Sequence, residues 1–134
     1  MTFTSIEADE NIIQVRMENV EKNSLPVADI FQTFAKYDVN IDMISSVNYE
    51  DSLRMDFTCD DSSSKALNEA IGEVTEKHPR IHIFTKRNVG KLIVEGEEMR
   101  DRPGVAAEVF AILGKHMIPF SQVTTSEISI SFVL

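Results

Sequence analysis

From Ile13 to Met17, apolar side chains alternate with polar Gln14 and Arg16, the period-two mark of a strand with one buried face. Val27, Ile30, Phe31 and Phe34 then recur at helical spacing, with Ser24 placed to cap the helix. Val39 to Ser46 reads as a second strand. Leu53, Met55 and Phe57, alternating with Arg54, Asp56 and Thr58, read as a third. Asp61 or Ser62 is placed to cap a second helix whose apolar stripe is Leu67, Ala70, Ile71 and Val74. His78-Pro79 ends it, because a residue before proline is pushed out of helical geometry. Ile81 to Thr85 supplies a fourth strand. The order β-α-β-β-α-β predicts an α+β, ferredoxin-like unit.

The pattern then repeats. A shift of 79 residues lays Ile13 and Val15 on Leu92 and Val94, Ile30-Phe31 on Val109-Phe110, and Val39 and Ile41 on Ile118 and Phe120. Beyond a shorter loop the offset is 75, and Leu53, Met55 and Phe57 meet Ile128, Ile130 and Phe132. The second copy reads as a strand (Lys91 to Glu95), a helix (Val105 to Lys115, stripe Ala106, Val109, Phe110 and Leu113) and strands Ile118 to Thr124 and Ile128 to Val133. Against the first copy it lacks the last helix and strand, roughly thirty residues. Its sheet face therefore needs cover, from further chain or from a partner. The run Phe3 to Ile6 has no counterpart in the repeat and is expected to complete the second sheet. The predicted organisation is an N-terminal strand (1–10), a first module (11–88) and a second, truncated module (89–134).

Charge and composition narrow the functions. Thirteen basic residues scattered among 22 acidic ones, for a net charge of −9, offer no phosphate-binding surface, so nucleic acid is not an expected partner. No apolar run reaches the roughly 18 residues of a membrane span, and Met1 to Ser5 lacks a signal-peptide pattern. The single cysteine, Cys59, allows no internal disulfide and fits a reducing compartment, so the cytoplasm is the expected location. His78, His82 and His116 have no metal-ligand spacing, and no glycine-rich phosphate loop or nucleophile–base pair is present. No cofactor, metal or catalytic residue is expected. Met43, Met55, Met99 and Met117 read as core fillers and Cys59 as an inert small side chain. The Glu95 to Glu98 stretch reads as a solvated bulge.

Val89 to Gly96, Met99 to Ala107 (Met-Arg-Asp-Arg-Pro-Gly-Val-Ala-Ala) and Thr124 to Ser131 (Thr-Thr-Ser-Glu-Ile-Ser-Ile-Ser) strongly resemble the second ACT module of aspartate kinases. Asn40 to Ile44 and Phe57 to Cys59 are similar to strands of the first. The resemblance implies a tandem ACT segment that follows a kinase catalytic domain, dimerises through its modules and binds lysine, threonine or both as feedback inhibitors. Some members make this segment as a separate small subunit. The kinase chemistry would need an ATP- and aspartate-binding domain, which these 134 residues do not contain.

Carried over position by position, the resemblance implies effector contacts at Ser24, Leu25, Val27, Asn40, Ile41, Asp42 and Ser46 of the first module. In the second it implies Asp101, Pro103, Gly104 and Val105, then Ile118 and Phe120, then Thr125, Ser126 and Glu127. A helix start offers N–H groups to a carboxylate, and Asp42 or Glu127 a charge-assisted bond to an ammonium. Three positions depart from the family pattern. Lys22-Asn23-Ser24-Leu25-Pro26 replaces the usual Asp-x-Pro-Gly loop, Ser46 a glutamine of threonine-sensitive members, and Pro119 a common asparagine.

Plainer readings stand beside these. Asp101 to Gly104 is also a helix start that needs no ligand, Ser126 a turn residue, and Asn40 and Asp42 outward-facing strand residues. Two other functions compete with the sensor: a free-standing ACT dimerisation protein whose effector loops have decayed, and a small phosphatase of the acylphosphatase kind using Arg100 or Arg102.

Overall fold

The computed structural model describes residues 5–100 and 103–134. The elements are β1 (Ser5–Val20), α1 (Ser24–Lys36), β2 (Asp42–Asn48), β3 (Leu53–Asp60), α2 (Ser64–Lys77), β4 (His82–Glu95), α3 (Val105–Lys115), β5 (Gln122–Thr125) and β6 (Ser129–Val133), with single 3-10 turns at Asp61–Ser63 and Glu97–Arg100. They divide into one unit of Asn11–Asn88 and another of Val89–Leu134 with the opening segment through Glu10. The fold is α+β, built from ferredoxin-like repeats.

In the 11–88 unit the strand order is β2-β3-β1-β4. β1 runs antiparallel to β3 in a register that sets Ile13 opposite Cys59, Val15 opposite Phe57 and Met17 opposite Met55. Because side chains alternate along a strand, these pairs fall on one face, where α1 and α2 cover them. α1 brings Ile30 and Phe34, and α2 brings Leu67, Ala70 and Val74, all within 1% of full burial. Phe34 and Phe57 meet edge to face at 5.1 Å, and Phe31 lies 6.1 Å from Phe57. Cys59, 2% exposed, belongs to this core; burial first, then Asp60 and Asp61, pushes its thiol up to about 11. At neutral pH it is a protonated apolar filler.

Charged groups fasten the outer edges of the two helices. Lys36 and the Tyr37 hydroxyl both donate to Glu73, at 2.7 and 2.9 Å, and Lys77 and His78 both reach Asp29. Hydrogen bonds from Lys36 and then Tyr37 hold the Glu73 carboxyl down at about 2, against an ordinary 4.5. A carboxyl depressed in the folded state stabilises fully above its unfolded value and loses that contribution as pH falls through its folded one. The melting temperature is therefore expected to fall between pH 4.5 and 2, and Glu73→Gln to flatten that fall; an identical acid limb in circular-dichroism melts of the variant would refute the assignment.

In the other unit β4 pairs antiparallel with β6, from Lys91 opposite Val133 to Glu95 opposite Ser129, and β5 flanks β6. Val94, Val109, Leu113, Ile130 and Phe132 form its core, with Leu92, Met99 and Val123 packed against it. The α3 stripe is Val105, Val109 and Leu113, four residues apart. Ala106 and Phe110, expected in that stripe, are exposed, although Phe110 still meets Phe120 and Phe132 at 5.6 Å each.

The repeat is visible in the backbone. α1 ends where Asp38, at φ 60°, lets its own N–H donate to Ala35 and that of Val39 to Phe34. α3 ends identically at positions 79 residues on: Met117, at φ 54°, donates to Gly114, and Ile118 to Leu113. This left-handed stop ties up backbone groups that a strand would use, which corrects two boundaries. β2 begins at Asp42, three residues after the expected Val39, and β5 at Gln122, four after Ile118. It also leaves Met117 87% exposed, so Met117 is no core filler, whereas Met43 and Met55 are buried and Met99 partly so.

Four further expectations are corrected. Asn23, in extended backbone, caps α1 by accepting from the Leu25 amide at 3.0 Å, so Ser24 is already helical. Asp60 accepts from the Ser62 amide and opens a 3-10 turn, so α2 starts at Ser64, not behind Asp61 or Ser62. Ile81 to Thr85 and Lys91 to Glu95 are not separate strands: no proline interrupts Lys86 to Gly90, and β4 runs unbroken. Gly96 is buried, its N–H held by the Ile128 carbonyl at 2.8 Å, and a 3-10 turn starts at Glu97, so the acidic stretch is not a simple solvated bulge. Among the described residues no helix is long and apolar enough to cross a membrane, and no three potential metal ligands converge.

Candidate functional site

At the head of α1 an open cleft of about 450 Å³ is lined by Lys22, Asn23, Ser24, Val27, Ala28, Asn48 and Leu53. Ser24 and Val27 are residues expected at an effector site; Leu25 lies beside them, 78% exposed. The cleft exists because Asn23 turns the chain out of β1, and because β2 ends and β3 begins against that turn. Lys22 is drawn across to the Glu50 carbonyl at 2.9 Å, which ties the β2–β3 turn to the loop. Few helix donors remain here: Asn23 takes the Leu25 amide, Pro26 has none, and Val27 bonds to the Asn23 carbonyl. The Ser24 amide and hydroxyl are the polar groups on the helix best placed to meet a ligand.

Asn48 is not among the residues to which the sequence points. Ser46, which is, stands two positions earlier on the same face of β2, and that period-two step is the signal that identifies Asn48. Asn40, Ile41 and Asp42 sit at the other end of the unit, before and at the start of β2, with α1's 13 residues, about 20 Å of helix, separating them from Ser24. The first-module residues are thus not gathered into one place. Asp42 already receives the Thr58 hydroxyl on its carbonyl at 3.2 Å.

The head of α3 differs. Gly104 stands as N-cap at φ 88°, a left-handed conformation that favours glycine, and its carbonyl accepts from Glu108 at 3.0 Å. Among the described residues no side chain caps the helix there, and the first amides of a helix have no partner within it. Pro103 and Gly104 are exposed and Val105 is buried. Asp101 and Arg102 lie outside the described residues. Arg100, in the turn before α3, reaches Glu127 in the β5–β6 turn at 3.4 Å, so two of the expected segments meet at one end of this unit. Ser126 is engaged locally: its hydroxyl accepts from the Ile128 and Ser129 amides at 3.3 and 3.1 Å and lies 2.7 Å from the Ser129 hydroxyl. Thr125 is exposed at the end of β5. Ile118 and Phe120, 40% and 41% exposed, belong to the opposite end, after α3.

Comparison with known proteins places these modules. Residues 92–134 match the model of the ACT domain. The chain is 29% identical over 126 residues to aspartokinase 2 of Bacillus subtilis, covering 94% of this chain and 31% of that protein. It is 30% identical over 132 residues to the aspartokinase of Helicobacter pylori, covering 98% and 32%. The chain thus spans about a third of the length of the curated relatives it matches. Among solved structures, the ligand-free regulatory subunit of aspartate kinase from Thermus thermophilus superposes with a TM-score of 0.87 at 21% identity, over 98% of this chain and 87% of that one. A structure of aspartokinase alpha and beta subunits gives 0.85 at 25%, over the same shares. The matched segment is ACT-like over residues 92–134, and the whole chain has the fold of the aspartate kinase regulatory subunit on which it superposes. More particularly, nearly the whole chain is similar to about a third of the length of the aspartokinases of Bacillus subtilis and Helicobacter pylori.

Proposed function

We propose that this chain senses a free amino acid, lysine or threonine, and passes its occupancy to an aspartate kinase catalytic domain or subunit as feedback control. The cleft at the head of α1 carries the reading, since it places Ser24, Val27 and Asn48 around a space of amino-acid size beside a helix start. Asn40 to Asp42, about a helix length away, are supplied by a second copy. A homodimer that lays the start of β2 from one molecule against the α1 head of another unites both halves, with Asp42 meeting the ligand ammonium. The head of α3, with Gly104 and the Arg100–Glu127 pair, offers the corresponding carboxylate anchor in the second module.

Regulation requires that the effector bind one state of the assembly more tightly than another, a coupling of about 1–3 kcal/mol in typical allosteric proteins. Calorimetric titration of the chain with L-lysine and L-threonine at millimolar concentration is expected to give saturable heat with at least one of them. Ser24→Ala is expected to weaken it by about fivefold, as for loss of one hydrogen bond near 1 kcal/mol. Absence of heat and of any thermal shift with all proteinogenic amino acids would sink the reading. A second reading, an ACT dimerisation module without a working first site, draws on the self-capping of α1 by Asn23, which occupies a donor a ligand would need. A dimer in gel filtration that ignores every amino acid would establish it.

A further inference from the structure

In the 11–88 unit two helices cover one sheet, whereas among the described residues the other unit sets a single α-helix, α3, against β5, β6, β4 and the opening of β1. The first repeat shows what a second helix does there. α2 meets α1 along one stripe: Glu73 takes Lys36 at 2.7 Å, and Lys77 reaches Asp29 at 3.2 Å and donates to the Thr33 hydroxyl at 2.8 Å. Thr33 is 2% exposed under that contact. The later residue of α2 meets the earlier one of α1, so the two helices run antiparallel.

α3 carries the same stripe 79 residues on: Glu108 for Asp29, Ile112 for Thr33 and Lys115 for Lys36. The charges keep their signs and their spacing, and the residue between them is apolar. Ile112 is 52% exposed, and among the described residues no ion pair or hydrogen bond engages the side chains of Glu108 or Lys115. The sheet beside this stripe is apolar as well. Ser5 donates to Glu95 at 3.4 Å and so shares its face; alternation turns Ile6 to the opposite one, with Val94, which packs against α3. Ile6 is 63% exposed, whereas Ile81 and Ile83, at the corresponding edge of the 11–88 sheet, belong to a covered core. Single exposed apolar residues are ordinary on a protein surface. Here the charge frame that α2 engages in the first repeat surrounds them.

We infer that this face of α3 docks an amphipathic α-helix of a separate polypeptide, seated beside α3 as α2 sits beside α1. Its chemistry follows from α2, a helix of 14 residues with small and aliphatic side chains at Leu67, Ala70, Ile71 and Val74. The partner helix presents such a stripe, an acid against Lys115 and, one turn later, a lysine against Glu108. A helix laid the other way sets like charges together, so the frame fixes direction as well as partner. The α2 of a second copy does not supply it, because Leu67, Ala70 and Val74 are committed to their own core. The inference stands apart from the effector clefts.

The test is a proton–nitrogen NMR titration of the whole chain with a synthetic peptide of residues 62–79. A lactam between its Lys65 and Glu69 side chains, exposed and one turn apart in α2, holds the peptide helical. Saturable shifts are expected at the amides of Ile6, Glu108, Ile112 and Lys115. A peptide with Glu73→Lys and Lys77→Glu is expected to bind about fivefold more weakly, the scale of two exposed ion pairs. Glu108→Lys with Lys115→Glu in the chain, both at exposed positions, is expected to reverse that preference. Ile112→Asp is expected to weaken both peptides about tenfold, through lost apolar burial. Absence of saturable shifts at Ile112, or equal affinity of the unaltered chain for the two peptides, would overturn the inference. So would shifts centred on Ile30 and Phe34, which would mean that the peptide displaces α2. Shifts at Ile112 that grow with chain concentration in the absence of peptide would make a second copy the occupant and overturn it too.

Discussion

Phe57→Ala is expected to destabilise the 11–88 unit by about 3–5 kcal/mol, the range for deleting a fully buried aromatic from a packed core. Phe57 has 0% exposure, lies opposite Val15 in the centre of the sheet, and meets the rings of both Phe34 and Phe31. Neither neighbour can collapse into the void. Phe34 is itself fully buried, and both are carried on α1, whose position is set by the burial of Ile30 and by Leu67, Ala70 and Val74 of α2 in the same core. For a unit this size, 3 kcal/mol lowers the melting temperature by about 12 °C or more. Phe84→Ala, at 54% exposure in β4, is the matched control and is expected to stay within about 0.5 kcal/mol. With no tryptophan in the chain, urea unfolding followed by circular dichroism is the readout. A midpoint for Phe57→Ala equal to that of Phe84→Ala would show that the aromatic cluster does not organise this core.

The elements legible in the sequence are those with one apolar face. Ile13-Val15-Met17 and Met55-Phe57-Cys59 alternate because they line the helix-covered side of the sheet, and that pattern gives the face each residue occupies. The join between the expected N-terminal strand (1–10) and the strand at Ile13, which β1 makes continuous, is illegible for the converse reason. Glu7 to Asn11 are exposed throughout, so strand geometry there leaves no hydrophobic period to read. The stops at Asp38 and Met117 are hidden too, since neither residue is glycine; only the 79-residue correspondence of their hydrogen bonds reveals a shared motif. Asn23 does not stand out as a cap because Ser24 is an equally good capping residue one place along.

The candidate site is legible only in part, for a physical reason. Resemblance names positions but not distances. Ser24 and Val27 line one cleft, whereas Asn40 to Asp42 stand at the far end of the same helix. A sequence pattern cannot separate residues that meet within one molecule from residues that meet between two. Ser126 shows the other limit. Its hydroxyl is the acceptor that closes the β5–β6 turn, and a motif cannot tell a side chain available to ligand from one spent on its own backbone.

Asp56→Ala is expected to cost about 2–3 kcal/mol, by a mechanism unlike that of Phe57. Asp56 sits on β3 opposite Arg16, on the sheet face away from the aromatic cluster, yet its side chain is only 4% exposed. Arg16 reaches one carboxylate oxygen at 2.8 Å and Arg54 the other at 3.3 Å, and the two long side chains lie over it. The hydrogen bond to Asp56 is the chief reason the Arg16 guanidinium is held above its ordinary value. Removing the carboxylate leaves two like charges side by side with no counter-charge between them. Both arginines keep a path to water, at 37% and 26% exposure, which holds the cost below that of a wholly buried pair. In a cycle of Asp56→Ala with Arg16→Ala, the coupling is expected to exceed about 1 kcal/mol in urea unfolding, because the double variant no longer sets two like charges side by side. A coupling near zero, with Asp56→Ala itself within about 0.5 kcal/mol of the parent, would mean that the buried carboxylate is held by the sheet alone.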